Sequence, residues 1–243
     1  MRGLLLTLCL IGLIGFIGYR TLIGGQTVSW HQRLTVIVET PNGQVRGASV
    51  TEVTNTEQRG LLVPPDAGNI VPRYRGEAVV VEVLPGRYLL ALLKGVRPEG
   101  DAPFWIYSAY NLEGPSDLAE KTYSKKMAKV KGQSLDSPVP LPPIAYPMLI
   151  TFDDIAKPET VHAVNPADMA ATFGPGVTLR GVTLEITKEG VTEGQVEGVL
   201  GTLKFIDKRG PITISFSPNF QTELLEPDDK YLSVLTLSTE VFK

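Results

Sequence analysis

The stretch LTVIVETPNGQVRGASVTEV, residues 34–53, constrains the fold more than any other portion of this chain. Successive side chains of a strand point to opposite faces. Leu34, Val36 and Val38 therefore share one face and Thr35, Ile37 and Glu39 the other, the pattern of a strand buried mainly on one side. Pro41, Asn42 and Gly43 supply the chemistry of a tight hairpin turn. Past the turn the alternation slips. Val45 falls on one set, Ala48 and Val50 on the other, and Gly47 between them is a natural site for a β-bulge that restores the face.

Further strands follow. EAVVVEV alternates through Val79, Val81 and Val83, LPG makes a turn, and RYLLALLKG returns apolar on both faces, as a central strand does. After the turn-rich RPEGDAP comes FWIYSAY, read as a strand. The 19 prolines and 24 glycines favour turns and short strands over long helices. A strand, a PNG turn, VRGASV and then VVVEVLPGRYLLAL is similar to transthyretin-like (prealbumin-like) β-sandwich modules over about residues 33–95. That resemblance implies a spacer or binding role and carries no catalytic residue across.

Ahead of the strands, residues 3–19 (GLLLTLCLIGLIGFIGY) carry no charge. With Arg20 as a snorkelling residue and the chain to Ile23, a helix here would span about 31 Å, close to the thickness of bilayer hydrocarbon. A signal peptidase wants small residues at −3 and −1, and the sites near Gly24 and Gly25 offer Leu22 or Ile23 instead. The expectation is a retained signal-anchor over 1–24, holding the membrane through residues 3–23, with a cytoplasmic N-terminus and an extracytoplasmic, periplasmic body. Arg20 and Arg33 on the exported side weigh against that orientation. Trp30 is either an interfacial anchor or a member of the first strand.

The body is expected to divide in two. Residues 25–136 form a β-sandwich-like domain with a helix near 116–131, where Ser116 caps the start and lysines crowd the last turn. SPVPLPPIAYP, 137–147, has five prolines in eleven residues and reads as a stiff linker. Residues 148–243 form a second β-rich region containing one short helix in NPADMAATFGPG, with Asn165 as its cap and Gly174 as its terminator. The fold class is thus mainly β with two short helices, behind a single N-terminal span.

Candidate chemistry is sparse. Without Arg2 and Arg20 the body holds 21 basic against 26 acidic residues, which argues against a nucleic-acid partner. The one cysteine, Cys9, lies in the apolar segment, so the body has no disulfide and no thiolate. His31 and His162 have no metal-pair spacing, and no cofactor or metal is expected. GPGVTLRG lacks the strand before it and the lysine that phosphate binding needs. Asp153 and Asp154 stand at a strand end, where carboxylates cap turns far more often than they catalyse. The aromatic cluster is the better candidate. On a strand, Trp105 and Tyr107 share one face, with Phe104, Ile106 and Tyr110 on the other, and Trp105, Tyr107 and Tyr110 would offer a platform for a peptide or sugar. The preferred function is a tethered binding or scaffolding protein with an envelope protein as a fitting partner. An envelope hydrolase using Asp153 and Asp154, and a cytoplasm-facing adaptor, are the alternatives.

Overall fold

The computed structural model describes residues 12–18, 27–57, 70–110, 138–157, 160–200, 212–214 and 235–238. The protein is mainly β, with few and short helices. The strands are β1 (Thr27–Thr40), β2 (Gly43–Glu57), β3 (Ile70–Arg75), β4 (Val79–Leu84), β5 (Arg87–Gly95), β6 (Val139–Pro140), β7 (Pro147–Phe152), β8 (Val161–Ala163), β9 (Thr178–Thr187), β10 (Ile212–Ile214) and β11 (Leu235–Ser238). The helices are α1 (12–18), α2 (Trp105–Ala109), α3 (Met169–Phe173) and α4 (Gln195–Leu200). Sheet I runs β3-β2-β1-β9-β6 and sheet II runs β4-β5-β7-β8, while β10 pairs with β11. All pairings are antiparallel.

The alternation in β1 is carried through as read. Trp30, Gln32, Leu34, Val36 and Val38 are buried, and His31, Arg33, Thr35 and Ile37 between them reach the outer face. The apolar ones meet Val79, Val81 and Val83 of β4 and Leu89, Ala91 and Leu93 of β5 in one core between the sheets. At about 1.5–3 kcal/mol for each fully buried large apolar side chain, this core is the main stabilising term. Trp30 belongs to it, with its indole N–H donated to Gln32 Oε1 at 2.9 Å. Gln32, itself fully buried, donates onward to Ala102 O at 2.7 Å, so both polar groups are satisfied.

The β2 strand differs from expectation. Its register with β1 is unbroken from Thr27↔Thr56 to Thr40↔Gly43, so Gly47 is not a bulge. A Cβ at Gly47 would lie 2.1 Å from the Val80 carbonyl oxygen, because β4 crosses β2 at this point. Ser49, Thr51, Val53 and Asn55 are buried in alternation, and polar side chains there look like a slipped pattern only when burial is read from hydrophobicity alone. Ser49 donates to Glu77 O at 2.8 Å, and Asn55 Nδ2 donates to Tyr107 Oη at 3.2 Å.

Strands on the two sides of the proline-rich segment share both sheets. β9 pairs with β1, and β7 with β5. The segment 137–147 is therefore not the linker expected between separate regions. It supplies β6, the 3-10 turn Pro143–Ala145 and the start of β7, and Leu141 N donates to Val182 O at 2.9 Å. Polyproline-like extension suits an edge strand that needs few backbone donors. In the short helix α3 the cap is Asp168, which accepts from Ala171 N, rather than Asn165, which accepts from Ala167 N one turn earlier. Gly174, at φ 101°, ends it as expected. The helix expected over 116–131 lies outside the described residues. No helix among the described residues is long and apolar enough to cross a membrane; of the expected span, residues 12–18 are described and are helical.

Candidate functional site

FWIYSAY is a helical turn, not a strand, so its residues do not sort onto two opposite faces. No β-branched run enforces extension there, and the 3-10 turn Pro98–Gly100 leads through the turn at 101–104 into α2. Trp105 is 1% exposed and donates its indole N–H to Gly100 O at 2.6 Å. Tyr107 is also buried, with its hydroxyl on Asn55 and its ring 6.2 Å from that of Phe104. Both rings therefore belong to the core between the sheets. Tyr110 is half-buried at the core margin, and its hydroxyl has no hydrogen-bond partner among the described residues. Burial, and then the Glu185 charge, raise its hydroxyl above the ordinary tyrosine value.

Of the two carboxylates, the one at 154 does turn work. Asp154 accepts from Ala156 N at 3.0 Å and pairs with Lys157 at 3.3 Å, which together hold it below the ordinary carboxylate value. Asp153 is well exposed and stands 3.7 Å from His162 Nδ1. His31 lies far from that turn in the chain, on the outer face of sheet I, with Nδ1 2.5 Å from Glu189 O and Nε2 4.0 Å from Glu52. No group of three metal-ligating side chains occurs among the described residues.

A shallow open cleft of about 150 Å³ lies at the end of sheet II. One wall is Val96 and Arg97, just after β5; the other is Pro143, Ile144 and Tyr146, leading into β7; Val164 and Pro166 close the end beyond β8. Its walls are held at backbone distance. A Cβ on Gly100 would meet Tyr146 O at 2.4 Å, and one on Gly95 would meet Gly100 Cα at 2.4 Å. Behind them, the Asp101 carboxylate accepts from Gly95 N at 2.9 Å and from Lys94 Nζ at 2.6 Å, pinning the chain that presents Arg97. Burial alone would lower the Lys94 ammonium, but Asp101 outweighs it and holds the group above its ordinary value.

Ile144 is 56% exposed although it sits between buried Leu141 and Ala145 and the fully buried β7. Arg97 is the one charged side chain lining the cleft, and no carboxylate among the described residues pairs with it. The arrangement suits an apolar group carrying an anionic end, with the prolines limiting what ordering costs on binding. Reading 137–147 as a linker hides this site. The available signal is a lone Ile inside a run of prolines.

The architecture is that of a two-sheet antiparallel β-sandwich. Compared with known proteins, the chain matches no family model, no curated protein and no solved structure.

Proposed function

We propose that this protein is a membrane-tethered, extracytoplasmic β-rich binding or scaffolding protein, and that it recognises its ligand at the proline-rimmed cleft. The observation that carries this reading is where apolar surface is left in the open. Among the described residues, the exposed large apolar side chains are Leu13, Ile14, Phe16 and Ile17 on α1, and Ile144 at the cleft. The apolar surface of α1 suits a lipid contact, and Ile144 beside Arg97 in the cleft suits a ligand with an apolar group and an anionic end. The uncharged run around α1 supports the tether, and the resemblance of residues 33–95 to transthyretin-like modules agrees with a spacer or binding role.

The tether is tested by fusing a reporter active only outside the cytoplasm to the C-terminus and measuring the mass of the membrane-extracted protein. An active reporter at full mass is expected. Loss of about 24 residues would mean a cleaved signal peptide. A silent reporter at full mass would reverse the topology and favour the adaptor.

A further inference from the structure

The cleft lies at the end of the sandwich where the chain arrives from α1. The first residue described after α1 is Thr27, at the start of β1. Near that start Gln32 donates to Ala102 O, just beyond β5. Gly76, ahead of β4, sits against Thr51, the residue paired with Gln32, and a Cβ there would lie 3.0 Å from Thr51 Oγ1. At the other end of β1, a Cβ on Gly176 would meet Pro41 of the hairpin turn at 2.9 Å, and Arg87 at the start of β5 donates to Thr172 O of α3 at 2.6 Å. β5 therefore runs from the hairpin end back toward the start of β1. Its last residue, Gly95, pairs with Pro147, the first of β7, and the cleft opens just beyond that pair.

Eight residues, 19–26, separate α1 from β1. Fully extended they reach no more than about 30 Å, so a membrane holding α1 stays close to this end of the body. At such an effective concentration even a weak contact is populated. The cleft offers the chemistry for one. Pro143, Ile144 and Pro166 are exposed beside the exposed Arg97, and Glu99, also exposed, does not line the cleft. Tyr146, half-buried in the wall, carries the kind of ring that settles at headgroup level. A phospholipid presents the pair of groups that this surface lacks, a phosphate for the guanidinium and hydrocarbon for the isoleucine.

We infer that the cleft docks on the membrane that tethers the protein, with a phospholipid headgroup as its occupant. Arg97 takes the phosphate, Ile144 enters among the first methylenes of the acyl chains, and the body rests with its cleft end on the bilayer. This inference rests on the tethered, cleft-binding reading above and names the ligand of that same cleft. A free peptide can carry the same two groups, but the lipid alone is held at this end of the body.

The test places full-length protein with labelled isoleucine methyls in nanodiscs of phosphatidylcholine and phosphatidylglycerol, with and without lipid carrying a nitroxide high on its acyl chain. Ile14 and Ile17 report the tether and Ile144 the cleft. Ile37, ten residues along β1 and about 33 Å from its start, reports the far end. The nitroxide should remove most of the Ile144 signal together with those of Ile14 and Ile17, while Ile37 keeps its own. Arg97→Glu should restore most of the Ile144 signal, with the buried Ile106 and Ile150 signals unmoved as the mark of an intact fold. An intact Ile144 signal beside broadened Ile14 and Ile17 would overturn the lipid contact. If that signal still shifts with carboxylate-ended peptides in detergent, the cleft stands as a ligand site and the lipid alone is refuted. Intact Ile14 and Ile17 signals would overturn the tether and this inference with it. Loss at Ile144 unchanged by Arg97→Glu would overturn the pairing of Arg97 with phosphate.

Discussion

Replacing Gly47 by alanine should destabilise the protein strongly, although its backbone is that of an ordinary strand. In an open strand the change would gain roughly 0.5–1 kcal/mol by restricting the unfolded chain. Here the added carbon would fall 2.1 Å from Val80 O, 2.9 Å from Val80 C and 3.0 Å from a Val81 methyl. A side chain could rotate away, but a carbonyl inside the β4–β5 ladder cannot without breaking pairs such as Val80↔Leu90. Overpacking of this kind costs about 1–3 kcal/mol, and a backbone obstacle belongs at the upper end. A net loss of about 2–3 kcal/mol follows, a fall in Tm of roughly 5–10 °C for a body of this size. Gly43→Ala separates space from conformation. Nothing lies within 4 Å of that site, but φ is 115°, so the cost is about 1–2 kcal/mol of backbone strain. Thermal and denaturant unfolding of both variants beside the wild type measures this. A Gly47→Ala protein as stable as wild type, or more so, would refute the close crossing of the two sheets.

Tyr107→Phe should cost about 1 kcal/mol or more, since it removes the hydroxyl that accepts from buried Asn55, while Tyr110→Phe should be nearly neutral in unfolding experiments. In alkaline absorbance titration, Tyr110→Phe should delete one late-ionising tyrosine; because burial raises its folded value, the associated stability is present below the ordinary tyrosine range and is lost as pH rises through the folded value. The Asp154 carboxyl should titrate below the ordinary carboxylate value by NMR, and Lys157→Met should move it upward. Its folded value being depressed, its support of the turn is present above the ordinary carboxylate value and is lost as pH falls through the folded one.

Strands with a clean apolar repeat are legible in the sequence, because burial and hydrophobicity coincide over 34–38 of β1 and in β4 and β5. The two diverge in β2, where Ser49 and Asn55 are buried on the strength of hydrogen bonds to Glu77 and Tyr107, partners 28 and 52 residues away. No local pattern reports such a bond. The same holds for Gly47, whose need for space comes from β4. FWIYSAY misleads for another reason: aromatics favour strands in general, but this segment is short and enters the core from a 3-10 turn, where a helical turn buries Trp105 and Tyr107 together. The cleft is hidden by composition. Five prolines in eleven residues usually mean a linker, yet here Pro140 lies in β6 and Pro147 in β7, one in each sheet.

The central claim, recognition at the cleft, is tested most directly on the methyl signal of Ile144. Detergent-solubilised full-length protein with labelled isoleucine methyls is titrated with short apolar peptides ending in a free carboxylate, and with the same peptides amidated. The predicted result is a saturable shift at Ile144, weaker for the amidated peptides and lost in Arg97→Glu, while Ile37 on the outer face of sheet I stays still. An unmoved Ile144 signal across the series, or binding indifferent to Arg97→Glu, would contradict it.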